Sequence, residues 1–492
     1  MLLKTFRWIV RVKYFFAVAL CAGLLGAVWA RLPFAVAAPP ALPAHASASL
    51  IYLPFVSNRS GGGAGAVPNN ALWRFGIAQA RRAPLTYAPY NLASLRLGWY
   101  VDWGYSASAL PTLGMEYVPM ARVKQWKLKP DNTWTNWCVG CPYVTPHAYT
   151  LSPAASQLRA LAASRPGLTW AVGNEMERRD WATGMQDEIV PELYAQAYYE
   201  AYNAIKSGDP TAKVAIGGVI EATPLRLQYL DRVWSAYATT YGQTLPVDVW
   251  NLHIFVLPEK SCAVYAECWG AEIPAGLSDV IGATYTVLDN KNFTLAAQQV
   301  VAFRTWMANH GQRTKPLIIT EYGVNMPDWV SPGQFTPAQV RDNFLYPSFD
   351  YFLNQTDAAL GYPADGYRLV QRWNWYSLDD DSVGVYGQNF NGNLYTSGLQ
   401  GDGVGFTTLG GYWQSYVQAL AAGSAAPYTL AMPANAAVSA RNVAPANAVP
   451  AACPEAQRVR AQIYEPSPAR ALFDPNAAPP QLVREQVLCV AP

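Results

Sequence analysis

The feature that most constrains the fold is a regular alternation of short apolar runs with longer segments of helical periodicity. Eight runs have the composition of buried strands, at residues 75–78, 95–100, 117–123, 169–172, 214–219, 249–255, 317–320 and 369–376. Segments typical of helices lie between them, at residues 191–206, 225–241, 296–310 and 337–353. Strands that alternate with helices build parallel α/β folds. Eight such units predict a (β/α)8 TIM barrel.

The barrel unit is longer than the ~250 residues typical of this fold. It spans residues 73–422, and much of the excess lies in two loops, 124–152 and 257–293, which follow the third and sixth strands. Loops that follow the C-terminal ends of the strands surround the active site of a TIM barrel. We therefore expect these long βα loops to form the walls of a cleft.

The N-terminal residues predict export. Basic residues precede an apolar run at 14–30, and small-residue cleavage sites follow it, which is the order of a signal peptide. Residues 1–46 are thus a signal peptide, or an uncleaved signal anchor, since the run could span a bilayer. Residues 47–72 are an N-terminal segment with a Gly-rich linker, and 423–492 are an irregular, Ala/Pro-rich extension. We expect a secreted or extracytoplasmic protein, attached to a membrane only through an uncleaved N-terminal segment.

Cysteine spacing agrees with export. Apart from Cys21 in the signal, the cysteines form three sequence-local pairs, which are Cys138 with Cys141, Cys262 with Cys268, and Cys453 with Cys489. Local pairs in an exported chain predict disulfides. The first pair could instead be half of a zinc site with His147, although no second close Cys or His pair completes four ligands. We expect no metal and no cofactor.

Composition excludes some partners. The net charge is +2, charged residues make up 14% of the chain, and no basic cluster lies beyond the N-terminus. Nucleic acid is therefore not an expected partner, and we expect a monomer. Aromatic residues make up 13%, with 18 Trp and 30 Tyr. Such a surplus lines grooves that bind sugars, although large cores also use it.

Two glutamates end strand-like runs at the same face of the predicted barrel. Glu175 follows the fourth run in WAVGNEMERRDW, and Glu321 follows the seventh in PLIITEYGV. Two carboxylates on opposed strands of one barrel mouth suit glycoside hydrolysis, in which one protonates the leaving oxygen and the other attacks the anomeric carbon. Glu175 could instead be only a negative charge at a helix N-terminus. The charged residues 177–180 are interpreted as a solvated loop with local ion pairs.

These residues resemble the clan-A retaining glycoside hydrolases, in which Asn-Glu follows strand four and a Glu follows strand seven. The resemblance implies that Glu175 is the acid/base, that Glu321 is the nucleophile, and that Asn174 binds the sugar 2-hydroxyl. LGWYVDWGY and EYVPMARV are also similar to a subgroup that includes β-1,3-glucanases. Met176 stands where that subgroup usually has Pro.

The resemblance also implies a set of substrate-binding side chains. His253 matches the His or Tyr often found on strand six near the carboxylates. Trp373 and Trp375 share one face of strand eight, and one of them would stack on a sugar. Tyr322 and Trp103 complete the expected set. The tryptophans, and His253, could instead belong to the core.

The predicted function is an exported retaining glycoside hydrolase acting on a poly- or oligosaccharide, with β-glucan as a candidate substrate. The alternative is a non-catalytic carbohydrate-binding or cell-surface protein on the same scaffold. The pair Glu175 and Glu321 distinguishes the two, because a binding module does not need it. A general acid must hold its proton near neutral pH while the nucleophile stays ionised, so the neighbours of Glu175 should raise its pKa.

Overall fold

The computed structural model describes residues 69–78, 90–105, 115–136, 138–179, 186–265, 268–326, 330–380, 392–396 and 405–422, and the backbone of 458–465 and 481–489. The predicted signal or anchor, most of the segment 47–72, and Cys453 lie outside these ranges. Among the described helices, none has the length and hydropathy needed to cross a membrane.

The strands follow in chain order. They are β1 Phe75–Ala78, β2 Trp99–Val101, β3 Glu116–Tyr117, β4 Met120–Gln125, β5 Lys127–Leu128, β6 Trp134–Thr135, β7 His147–Ser152, β8 Thr169–Asn174, β9 Lys213–Gly218, β10 Trp250–Ile254, β11 Leu317–Tyr322, β12 Arg372–Trp375, β13 Arg458–Glu465 and β14 Gln481–Cys489.

The helices alternate with these strands. They are α1 Leu92–Leu95, α2 Ala155–Ser164, α3 Pro191–Gly208, α4 Pro224–Tyr241, α5 Phe293–Asn309, α6 Pro337–Val340, α7 Tyr346–Asn354 and α8 Thr408–Ala421, with a π-helical turn Arg341–Leu345 between α6 and α7 and 3-10 turns at Asn69–Arg74, Val287–Lys291 and Pro363–Asp365.

The eight predicted strands are confirmed as elements; the first has the predicted bounds, and the ends of the others are shifted. The second begins later than predicted, because Leu95 ends α1 and Arg96 caps that helix in the left-handed conformation. The third is divided into β3 and β4 around Pro119, which has no N–H to donate to a ladder. The predicted helices match α3, α4, α5 and the run α6 to α7. Proline at the first turn of α3 and α4 suits a position where the N–H has no intrahelical partner.

Parallel pairing connects the strands in a TIM-barrel-like order. Strands β10, β11, β12, β1, β2 and β3 are hydrogen-bonded in that sequence, and β4, β8 and β9 form a second parallel run. Two parallel bridges, Ala215 with Val249 and Val219 with Leu252, lie between the ends of these runs. The structure is therefore a mixed α/β fold with a parallel sheet, as the alternation of elements predicts.

Two parts of the chain are more ordered than predicted. The loop 124–152 contains β5, β6 and β7, and β7 runs antiparallel to β4. The extension 423–492 contains the hairpin of β13 and β14, and β13 pairs parallel with β7. The prediction of an irregular extension was wrong for residues 458–465 and 481–489, because the Ala/Pro-rich composition of the whole extension outweighed the polar-apolar alternation of RVRAQIYE, which is a strand pattern.

Both cysteine pairs within the described residues are disulfides. Cys138 and Cys141 are bonded in the loop 124–152, with a Cα separation of 5.4 Å. Cys262 and Cys268 are bonded in the loop 257–293, with a Cα separation of 5.0 Å. The two predictions are confirmed, and the first bond leaves no thiolate for the zinc alternative. The pairing of Cys453 with Cys489 stays a prediction.

Candidate active site

Glu175 and Glu321 lie at the C-terminal ends of two parallel strands. Glu175 directly follows β8, and Glu321 is the second-last residue of β11. Both side chains are buried, with 4% of each residue exposed. One carboxylate oxygen of each glutamate and one ring nitrogen of His253 all lie within 4.8 Å of one another. The structure thus brings together three of the predicted site residues.

The backbone at Glu175 has an unusual conformation. Its φ is 46°, in the left-handed region that residues other than glycine seldom adopt. The Glu175 N–H donates to the Gly218 carbonyl at 3.0 Å, which ties the turn to the end of β9. A constrained conformation of this kind clusters at functional sites, and it accords with a positioned side chain.

Asn174, the residue before Glu175, has a buried side-chain acceptor without a hydrogen-bond partner among the described residues. Its backbone N–H and that of Val123 each donate to Asp187 Oδ2 at 3.0 Å, and Arg122 binds the same aspartate at 2.7 Å. The Asn174 side chain is buried, and its Oδ1 has no hydrogen-bond partner. Buried polar atoms are normally satisfied, so this oxygen is suited to accept a hydroxyl proton from a ligand.

His253 contacts both glutamates. Its Nδ1 lies 3.3 Å from Glu175 Oε1, and its Nε2 lies 3.7 Å from Glu321 Oε1 and 2.9 Å from Thr320 Oγ1. The Thr320 hydroxyl donates to Asn251 Oδ1 at 2.9 Å, so Thr320 Oγ1 accepts from His253 Nε2–H. Nδ1 then carries a proton only in the imidazolium. His253 and Glu175 therefore share one proton across their contact.

Trp103 and Tyr376 border the carboxylate pair. The Trp103 Nε1–H donates to Glu321 Oε1, and the Trp103 ring meets the Tyr376 ring edge-on at 5.7 Å. Tyr376 also contacts Phe255 and hydrogen-bonds Asp380. Trp103, which the sequence predicts to bind substrate, thus lies against the Glu321 carboxylate, and its role in binding stays a prediction. Tyr376 was not predicted from the sequence, although strand alternation places it on the opposite face from its neighbour Trp375.

Three predicted sugar-binding residues face away from this site. Trp373, Trp375 and Tyr322 have no exposed surface. Trp373 packs against Phe352 of α7 at 5.1 Å, Trp375 meets Tyr322 edge-on at 5.1 Å, and the Tyr322 hydroxyl contacts Ser348 in α7. The expectation that they bind substrate is therefore corrected. They fill the layer between strands and helices, where a buried indole or phenol ring has no face for a sugar.

Of the loop 177–180, Glu177 and Arg178 are not solvated as predicted, whereas the predicted local ion pair is present between Arg178 and Glu175. Arg178 Nη1 donates to Glu175 Oε2 at 2.9 Å, and its Nη2 donates to the Gly270 carbonyl at 3.0 Å. Glu177 is fully buried and lies 3.2 Å from Arg226. Arg178 was not predicted as a site residue, because a basic residue three positions after an acidic one more often forms an exposed ion pair with it.

The two glutamates have opposite pKa shifts. Burial raises the pKa of the Glu175 carboxyl, but Arg178 and His253 outweigh burial and lower that pKa to about 2. Burial raises the pKa of Glu321 to about 7; His253 and the Trp103 N–H oppose the rise, whereas the Glu175 charge adds to it. The pKa of Glu175 is therefore below that of Glu321, which is the reverse of the order expected if Glu175 is the acid. The expectation that its neighbours raise the pKa of Glu175 was wrong for this structure.

The raised pKa of Glu321 predicts a pH-dependent loss of stability. Between the ordinary pKa of 4.5 and the folded value of about 7, the folded state holds a proton that the unfolded state releases. Stability from this group therefore falls as pH rises through that window, by on the order of 3 kcal/mol. His253, whose pKa is raised because its two carboxylate neighbours outweigh burial, contributes with the same sign.

Denaturant unfolding of the wild type and Glu321→Gln at pH 4.5 and pH 8 tests this prediction. Gln cannot ionise, so the variant should gain stability relative to the wild type as pH rises from 4.5 to 8. Parallel stability curves for the two proteins would contradict the raised pKa of Glu321.

Comparison with known proteins adds a set of distant structural likenesses. No protein-family model and no curated protein matches the chain. The chain is similar to a GH128 (subgroup I) endo-β-1,3-glucanase from Amycolatopsis mediterranei in complex with laminaritriose, with 17% identity, coverage of 70% of this chain and 98% of that chain, and a TM-score of 0.38.

Two further solved structures represent other functions. A GH128 (subgroup VII) oligosaccharide-binding protein from Trichoderma gamsii has 13% identity, coverage of 70% and 93% and a TM-score of 0.35. A monomeric β-xylosidase from Caulobacter crescentus has 13% identity, coverage of 70% and 68% and a TM-score of 0.41.

Proposed function

We propose that the protein is a retaining glycoside hydrolase that cleaves O-glycosidic bonds in a poly- or oligosaccharide. The observation that carries the proposal is the buried pair Glu175 and Glu321, with an oxygen of each within 4.8 Å of the other. Retaining pairs are separated by ~5–5.5 Å, whereas inverting pairs need ~6.5–9.5 Å to admit a water. The short spacing supports a double displacement through a covalent glycosyl-enzyme.

We infer that the paired strands close into a (β/α)8 barrel with long βα loops. Three observations support this closure. Strands β10, β11, β12, β1, β2 and β3 are paired in that order, and β4, β8 and β9 form a second parallel run. Two bridges join β9 and the residue that follows it to β10 and the residue before β10. In such a barrel the C-terminal strand ends form the mouth. Glu175, Glu321 and His253 would then share the catalytic face, between the two long loops.

The resemblance of the motifs assigns the roles within the pair. Glu321 attacks the anomeric carbon while Glu175 protonates the leaving oxygen, and Glu175 then activates the water that releases the sugar. The first step needs the proton on Glu175 and a charged Glu321. His253 lies within reach of both carboxylates. Its imidazolium gives the Nδ1 proton to Glu175 and becomes the neutral tautomer, whose Nε2–H stays on Thr320 Oγ1. Glu321 attacks as the carboxylate that it becomes above its pKa of about 7.

Other side chains of the site contribute binding. The Asn174 Oδ1 accepts a sugar hydroxyl, and the Trp103 N–H steadies the Glu321 carboxylate before attack. Trp103 and Tyr376 form an aromatic wall beside the reacting carbon. The motifs LGWYVDWGY and EYVPMARV make β-1,3-glucan the first substrate to test. The predicted signal and the two disulfides support action outside the cytoplasm.

A non-catalytic carbohydrate-binding protein is the second candidate. The contact between Arg178 and Glu175 favours it, because an acid held as a carboxylate cannot donate a proton. A reducing-end assay on a panel of polysaccharides that includes β-1,3-glucan separates the candidates. We expect reducing ends to accumulate with at least one polymer, whereas binding of a polymer without release of reducing ends would favour the second candidate.

The first-formed product should retain the anomeric configuration of the substrate. Two displacements at one carbon, first by Glu321 and then by water, restore the starting configuration. Proton NMR of the reaction before mutarotation reports the anomer. An inverted first product would exclude Glu321 as the nucleophile.

A further inference from the structure

Arg178 is the arginine that contacts Glu175, and the two oxygens of that carboxylate are divided between two neighbours. Arg178 Nη1 lies 2.9 Å from Oε2, and His253 Nδ1 lies 3.3 Å from Oε1. On the basis of the proposed hydrolysis, we infer that Arg178 is a positioning residue that holds Glu175 as a carboxylate, so that it favours the base step of the reaction over the acid step.

The guanidinium is anchored from a second direction. Arg178 Nη2 donates to the Gly270 carbonyl at 3.0 Å, in the loop 257–293 and two residues beyond the disulfide at Cys268. Gly270 has a φ of 115°, and a Cβ there would lie 2.4 Å from the Pro258 carbonyl oxygen. The loop therefore needs glycine at this position, and it brings a fixed acceptor to the Arg178 side chain.

Charged groups from several elements surround Glu175. His253 approaches from β10 and Glu321 from β11, while the turn of Glu175 itself provides Arg178 and the buried Glu177, which is paired with Arg226 from α4. Glu221, just beyond β9, is also buried, and the Arg178 charge acts on it. Within this mostly acidic set, Arg178 provides a cation in direct contact with Glu175.

The two steps of a double displacement need Glu175 in opposite forms. Glycosylation needs the acid, whereas deglycosylation needs the carboxylate as a general base. A guanidinium at 2.9 Å favours the carboxylate. When Glu321 is bonded to the sugar, its negative charge is gone, and Arg178 and His253 then act on Glu175 alone. Arg178 should thus speed the second step and slow the first.

The test compares Arg178→Met with Arg179→Met. Arg179 contacts the same loop, through the Ile273 carbonyl at 3.3 Å and Glu272 at 3.8 Å, so it is a matched control. The measurements are pH profiles of kcat/KM and kcat for aryl glycosides with poor and good leaving groups. kcat/KM reports the first step, and kcat with a good leaving group reports the second.

For Arg178→Met, we expect the alkaline limb of kcat/KM with poor leaving groups to move up by about one pH unit or more. With good leaving groups, kcat below neutral pH should fall by about tenfold, and azide should restore it. Arg178→Lys should lie between the variant and the wild type, and Arg179→Met should match the wild type.

Two results for Arg178→Met would overturn the inference for a wild type that hydrolyses its substrate. One is an equal change in kcat/KM and in kcat, and the other is a pH profile whose limbs stay at the wild-type pH. Absence of hydrolysis by the wild type on every substrate would instead overturn the proposed function. Thermal unfolding of all variants identifies one that is simply misfolded, and in that case Arg178→Lys decides whether the limbs move.

Discussion

Glu321→Ala is expected to lose hydrolysis of every glycoside that the wild type cleaves, by about 10⁴-fold or more in kcat/KM. Without the carboxylate at the end of β11, no covalent intermediate can form, and a better leaving group cannot compensate for the missing nucleophile. Added azide can enter the vacated space and attack the anomeric carbon directly. The glycosyl azide should then have inverted configuration, as NMR of the product can establish.

Glu200→Ala is a matched control for this loss. Glu200 lies on α3, outside the site, where it accepts a hydrogen bond from the Tyr149 hydroxyl at 2.6 Å. This variant should keep wild-type turnover. Comparable activity in Glu321→Ala and the wild type would remove Glu321 from the mechanism.

Glu175→Ala should instead show a loss that depends on the leaving group. On natural glycans the kcat/KM of the variant should be about 10²–10⁴-fold below that of the wild type, which is the usual contribution of general acid–base catalysis. Good leaving groups depart without protonation, so the covalent intermediate still forms and its hydrolysis becomes limiting. Azide attacks that intermediate without a general base, so turnover should recover and yield a glycosyl azide of retained configuration.

The pair of variants also tests the roles against the pKa order. The structure places the high pKa on Glu321 and the low pKa on Glu175, which by itself would favour exchanged roles. If Glu321→Ala gives the retained azide and Glu175→Ala the inverted one, the roles are exchanged. If both variants keep wild-type rates on a cleaved substrate, the hydrolase assignment at these residues fails and the binding-protein candidate gains.

Local sequence patterns predicted the positions of the central residues. An apolar strand needs a run of buried side chains, so its end is visible in WAVGNEM and PLIITEYGV, and the glutamates lie where those runs stop. Short spacing between cysteines, together with the predicted signal peptide, was enough to predict two disulfides. These inferences succeeded because the interactions involved lie within one strand or one short loop.

Tertiary structure decided what each of these side chains contacts. Alternation along β12 shows that Trp373 and Trp375 share a face, but only packing against α7 reveals that this face points outward and leaves Tyr376 at the site. The pKa order of the two glutamates depends on burial and on charges from Arg178 and His253. Burial and through-space charge are set by segments far apart in the chain, so no local pattern carries them.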